Sequence, residues 1–240
     1  MPNTKITLVI PDVHHKIDRA EDILNNAPHE RVVWLGDFFD DFGDSPNIAV
    51  RTAVWLRQRI DSTEDVFLLG NHDAMYFWPN VPELRCSGYS APKAMVIESA
   101  IDLEKYRRRF ILYAEVGKWL LSHAGLHPQF GTSVSELAPA TAQAIAYLEN
   151  GSMHALLAAG WSRGGDEQYG GITWLDWSEL IPIDGVNQIV GHTPGNSIRR
   201  RHTLASSNMC LDTNLAHYAI ISKHGDVKIW HASSHEPLAP

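Results

Sequence analysis

Cysteine is scarce in this 240-residue chain. Cys86 and Cys210 are the only two, which excludes a disulfide framework and any cysteine-spaced metal site, and makes a reducing compartment the default. Long apolar runs are missing too. No stretch approaches a membrane span, and the few mostly apolar residues after Lys5 are too short for a signal-peptide core. A cytoplasmic protein with no membrane partner is expected. Basic charge is in deficit, with 20 Lys and Arg against 28 Asp and Glu and a net charge of −8, so a nucleic-acid partner is not expected. The two basic triplets, residues 107–109 and 199–201, read as solvated faces rather than polyanion clamps. No internal repeat, linker or low-complexity tract divides the chain, so residues 1–240 read as a single domain with a frayed tail at 233–240. Histidine, by contrast, is abundant at 13 residues, and it is the commonest metal ligand.

Short apolar runs recur along the chain, each stopping at a polar turn. Residues 6–10 end at Asp12, 31–35 at "GDFFDD", 66–69 at "GNHD", 119–121 at "SHAGL" and 188–190 at "GHT". Unbroken runs of this length suit strands buried on both faces of a sheet. Helical periodicity fills stretches 17–26, 48–60, 91–109 and 133–149; the second is entered through Ser45-Pro46, a cap followed by a first-turn proline. Strand-helix alternation over the first 70 residues predicts an α/β fold with right-handed crossovers. Later, "YAEVGKWLLS" and "AHYAIISKHGDVKIWHA" carry hairpin signals around Gly117 and Gly225, so antiparallel strands join late. The proline-broken stretch from residue 74 to 110 reads as a helical cap or lid insertion. Residues 161–171, "WSRGGDEQYGG", read as a surface loop.

In α/β sheets, ligands bind beyond the carboxyl ends of strands. Every buried-strand candidate here is followed at once by metal-competent residues: Asp12 and His14; Asp37 and Asp40; Asn71, His72 and Asp73; His123; His192. Any one of them has an ordinary reading as a turn or cap residue. Five such strand ends in series point instead to a joint site. Carboxylates and imidazoles suit divalent manganese, iron and zinc. Two ions roughly 3.5–4 Å apart stabilise both the entering and the leaving oxygen at phosphorus, which requires one carboxylate that spans them.

The motifs "D12-V-H14", "G36-D37-F-F-D40", "G70-N71-H72-D73", "H123-A-G-L" and "G191-H192-T193", in this order, resemble the calcineurin-like metallophosphoesterase superfamily. "SHAGLHPQF" and the late "LDTN" are most similar to its phosphoprotein-phosphatase and diadenosine-tetraphosphatase branch. The resemblance implies a four-layer α/β/β/α sandwich, two mixed sheets flanked by helices, with a metal site at the strand C-terminal ends. It implies two divalent ions, manganese first, with iron, zinc, nickel or magnesium as alternatives. Asp12, His14 and Asp37 would hold the first; Asp37 would bridge to the second, completed by Asn71, His123 and His192. His72 would protonate the leaving oxygen, with Asp40 accepting its other N–H, a division of labour that general acid catalysis also favours. Asp73 reads as a helix cap.

The implied activity is hydrolysis of phosphomonoesters, on a phosphorylated protein or a small phosphometabolite, by attack of metal-activated hydroxide. The alternatives are a dinucleoside polyphosphate hydrolase or phosphodiesterase, and, more remotely, a non-catalytic scaffold. The chain departs from the family where the branch usually has a phosphate-gripping arginine after the second aspartate: Asp41 stands there, an acid that repels phosphate unless it faces solvent or a cation. Arg163, in the glycine-rich loop, is the candidate substitute, or else a solvated loop residue. His15, in place of the usual glycine, either lines the pocket or points to water. Phe38, Phe39, Trp161, Trp174, Trp177 and Tyr169 read as core or rim packing.

Overall fold

The computed structural model describes residues 5–238. Its strands are β1 (Thr7–Ile10), β2 (Arg31–Trp34), β3 (Val66–Leu68), β4 (Phe110–Ile111), β5 (Tyr113–Val116) and β6 (Trp119–Ser122). They continue with β7 (Asn187–Val190), β8 (Arg199–His202), β9 (Ser207–Cys210), β10 (His217–Ile221) and β11 (Val227–His231). The α-helices are α1 (Ile17–Asn26), α2 (Pro46–Ser62), α3 (Asn71–Phe77), α4 (Ala91–Ala100), α5 (Leu103–Arg107) and α6 (Val134–Glu149).

Two mixed sheets result. The first runs β11-β10-β1-β2-β3-β4, with β1 to β4 parallel and β10 antiparallel to both β1 and β11. The second runs β5-β6-β7-β9-β8, with β6, β7 and β9 parallel and β5 and β8 antiparallel. The period-two alternation of strand side chains, with both faces covered, explains why the central strands β1, β2, β3 and β6 are mostly apolar. Val9, Val33, Leu68, Leu121, Ile189 and Met209 meet between the sheets. Their neighbours Leu8, Ile10, Val32, Trp34 and Phe67 point the other way, into a cluster with Ile23 of α1 and Ala53 and Leu56 of α2. The helices obey the 3.6-residue period: α1 buries Ile17, Ala20, Ile23 and Leu24, and α2, with Pro46 in its first turn, buries Ala49, Ala53, Leu56 and Ile60. Both predicted hairpins form, turning through the positive-φ residues Gly117 and Gly225.

Three details differ from the sequence reading. The helical stretch 91–109 is two helices, because Asp102 leaves helical geometry and its carboxylate accepts the Lys105 N–H at 3.0 Å, starting α5 afresh. The tail expected to fray is bound as far as it is described: Leu238 N–H donates to the Ile229 carbonyl at 2.8 Å, His231 N–H to Glu236 at 2.9 Å, and Pro237 bridges to Trp230. Residues 239–240 lie outside the described residues. Of the basic triplets, 199–201 forms the edge strand β8, where the Arg199 and Arg201 guanidinium groups lie over Trp177. Arg107 pairs with Glu149 and Arg109 reaches the Ile60 carbonyl, which leaves Arg108 exposed. Among the described residues, no helix is long and apolar enough to cross a membrane.

The arrangement positions a site. Three adjacent parallel strands of each sheet, β1-β2-β3 and β6-β7-β9, are each followed at the carboxyl end by one of the polar loops.

Candidate metal centre

The loops after these strands converge on Asp37. Ligand atoms of Asp12, His14 and Asp37 lie within 4.8 Å of one another, and so do those of Asp37, His123 and His192. Asn71 joins the second group: its Oδ1 lies 3.0 Å from His123 Nε2 and 2.9 Å from His192 Nδ1. The backbone is bent to bring them there. His14, Asp37, Asp40 and His192 all have φ between 42° and 65°, the left-handed region that L-residues avoid. Close approach is also built in: a Cβ at Gly70 would collide with Asp37, and one at Gly191 with the Asp12 carboxylate.

Partners behind the cluster orient each group. His14 Nδ1 donates to the Asp40 carbonyl at 2.5 Å and His123 Nδ1 to the Leu35 carbonyl at 2.8 Å, which fixes both rings with Nε2 toward Asp37. The His192 backbone N–H donates to Asp12 at 2.8 Å. Asp73 does more than cap α3. Its carboxylate accepts from the N–H groups of Gly70 at 3.2 Å, Asp37 at 2.8 Å and Phe38 at 2.8 Å, tying two ligand-bearing loops together.

The electrostatics call for cations. Burial, then the Asp212 and Asp37 charges, push the Asp12 carboxyl well above its usual range. Burial would also raise Asp37, but His123, His72 and His14 hold it far below. Burial disfavours the charged form of His123, yet Asp37 overrides it and lifts that imidazole to about 9. Burial and the cationic His123 depress His192, whose Nε2 is buried without a partner. Buried like-charged carboxylates, an orphaned imidazole nitrogen and two triads sharing one aspartate fit a pair of divalent ions bridged by Asp37.

Beside this cluster, His72 Nδ1 lies 3.1 Å from Asp40 Oδ2, and its ring is 5.4 Å from that of His14. Burial lowers the His72 pKa, but Asp37 and the Asp40 hydrogen bond more than offset it and raise it well above its ordinary value.

The remaining sequence candidates fall into place around the centre. His15 does not face water: Nδ1 bonds Thr52 Oγ1 at 2.8 Å, Nε2 lies 2.9 Å from the Asp40 N–H and 3.0 Å from Asp44, and burial keeps its pKa low. Asp41 faces a cation, Lys16 Nζ, at 2.6 Å. Arg163 is not free in solvent; its Nε lies 2.8 Å from Asp176, close enough to the centre for its charge to depress His192. Phe38 and Phe39 are core, Trp174 packs edge-on against His192, and Trp161 is exposed.

Asp212, although inside the quoted "LDTN", and Lys93 have no role in the sequence reading. Asp212 follows β9 as the other candidates follow their strands, so the sixth strand end was the available signal; its buried carboxyl is raised by burial and by Asp37. Lys93 sits on the buried line of α4 with Ile97 and Ala100, and a lysine at an apolar-face position was its only mark.

A two-sheet α/β sandwich with helices on its flanks and a histidine-rich cluster around a shared aspartate at the strand ends suits a metal-dependent phosphoester hydrolase. The chain belongs to the calcineurin-like phosphoesterase family, whose model matches residues 7–200. Among solved structures, the fold is similar to a cold-active protein-tyrosine phosphatase of a psychrophilic Shewanella species (17% identity, 100% of this chain and 83% of that one, TM-score 0.63). It is similar as well to a putative diadenosine tetraphosphatase (18% identity, 96% of each chain, TM-score 0.54). A Saccharomyces cerevisiae protein serine/threonine phosphatase with similarity to human PP5 also shares it (11% identity, 99% of this chain and 84% of that one, TM-score 0.52). No curated protein matches.

Proposed function

We propose that this protein hydrolyses phosphomonoesters, on a phosphorylated protein or a small phosphometabolite. The observation that carries the reading is the pair of triads sharing Asp37, set beside the His72–Asp40 pair. Asp12, His14 and Asp37 would hold one divalent ion, and Asp37, Asn71, His123 and His192 the other, with manganese the first candidate. So held, the ions supply Lewis acidity to the phosphoryl oxygens and acidify water. The protein supplies the proton for the leaving group: with Nδ1–H bonded to Asp40, His72 presents Nε2 to the departing oxygen. Arg163, on a glycine-flanked turn, would exchange Asp176 for a substrate phosphate and grip it with its guanidinium fork.

Asp41 supports a second reading. With that side chain turned to Lys16, no arginine grips a terminal phosphate at the family position, which suits a dinucleoside polyphosphate or a diester. Rates on p-nitrophenyl phosphate, bis-p-nitrophenyl phosphate and diadenosine tetraphosphate, each with manganese, nickel, zinc and magnesium in turn, separate the two. A marked monoester preference is expected. His72→Ala should lower monoester turnover on the order of 10²–10⁴-fold with metals retained; unchanged turnover would refute the assignment.

A further inference from the structure

Lys93 lies near the start of α4, in the segment that crosses from β3 to β4, and its side chain is 3% exposed. A buried ammonium persists only where it is paired and hydrogen-bonded. Here Nζ donates to Asp40 Oδ1 at 2.5 Å and to the Asp44 oxygens at 2.9 and 2.8 Å. Ligand atoms of Asp40, Asp44 and His15 also lie within 4.8 Å of one another, and the lysine donates to both carboxylates of that group.

The consequence falls on Asp40. Its Oδ1 accepts from both Lys93 and Tyr76, whose hydroxyl donates at 2.8 Å, while Oδ2 is left to His72 Nδ1 at 3.1 Å. A carboxylate held at one oxygen by two donors cannot rotate away, so the other oxygen stays aimed at the imidazole. Without the lysine, Asp40 and Asp44 would repel each other, and Asp40 would keep only the Tyr76 hydroxyl of the two donors that hold its Oδ1.

We propose that Lys93 is a positioning residue for proton donation: it pins Asp40 so that His72 meets the leaving oxygen. The proposal rests on the reading of His72 given above. It predicts a loss that depends on how much the leaving group needs a proton. Dinitrophenolate leaves unaided, whereas phenolate does not.

The test is turnover of the manganese-loaded enzyme on 2,4-dinitrophenyl, p-nitrophenyl and phenyl phosphate, for wild type, Lys93→Met, His72→Ala and the double variant. Lys93→Met should lower kcat on phenyl phosphate about 10–100-fold and on dinitrophenyl phosphate less than about threefold, with KM and metal content unchanged. The double variant should be no slower than His72→Ala alone. Where Lys93→Met does not fold, because two acids are left unneutralised, Lys93→Met with Asp44→Asn removes one of them and should give the same dependence. An equal loss on all three substrates for the lysine variants, with a steep dependence for His72→Ala, overturns the role of Lys93 and leaves that of His72 intact. A flat profile for His72→Ala overturns both.

Discussion

In the metal-free protein, the buried His123 imidazole is lifted to about 9 by Asp37, so near neutral pH it carries a proton and is ion-paired with that carboxylate. A divalent ion must displace this proton to use Nε2. The sign follows directly: a competitor proton with a raised pKa weakens metal binding as pH falls, and binding strengthens until pH passes the pKa. From about pH 9 down to neutrality the penalty is two units, about 2.7 kcal/mol, or roughly a hundredfold in affinity. The Asp12 carboxyl, also raised by burial, shifts metal binding in the same direction. The measurement is manganese titration by calorimetry in buffers of different ionisation enthalpy, which counts the protons released. His72→Ala is the protein to use, because the His72 pKa is also raised and its proton would respond to the field of the ions without His72 ligating them. About one proton from His123 is expected near neutral pH, with affinity rising about tenfold per pH unit. An affinity that is flat across that range, with no proton released, would refute the reasoning.

Three further outcomes follow from the geometry. Asp37→Asn, which removes the shared carboxylate from both triads, should nearly abolish metal binding and activity together, as metal analysis after dialysis and an aryl phosphatase assay would show. Gly191→Ala should place a methyl group against the Asp12 carboxylate, lower stability by about 1–3 kcal/mol and weaken metal binding; denaturant titration with and without manganese measures both. Trp34→Ala should lose about 3–5 kcal/mol of stability in urea, because the ring is fully buried among Phe38, Trp55 and Phe67.

Much of the fold was legible because burial on both faces writes itself as unbroken apolar runs. Residues 6–10, 66–69 and 188–190 could hardly be anything but central strands, and the glycines at 117 and 225 mark turns that need positive φ. The convergence of Asp12, His14, Asp37, Asn71, His123 and His192 could be anticipated for the same reason: each follows a strand end, and parallel neighbours place their ends side by side. What could not be read was pairing across the chain. His15, Asp41 and Arg163 were judged by their immediate neighbours, whereas their partners are Thr52 and Asp44, Lys16, and Asp176. Lys93 reaches Asp40 across 53 positions, and only a charged residue on an apolar stripe hinted at it. The left-handed backbone at His14, Asp37, Asp40 and His192 leaves no sequence signature at all, because aspartate and histidine adopt it only when their surroundings require it.

The arginine-rich edge strand β8 and the tail lying along β11 have a joint consequence for how the molecule behaves in a crowd. An open β-edge invites a foreign strand to dock, and from there aggregates can grow. On one sheet the invitation is refused by charge, with Arg199 and Arg201 folded back over Trp177. On the other it is refused by the chain itself, since Pro237 and Leu238 occupy the positions an intruder would take. A chain cut before Ser233 would bare that border, and its first symptom should be self-association at high concentration.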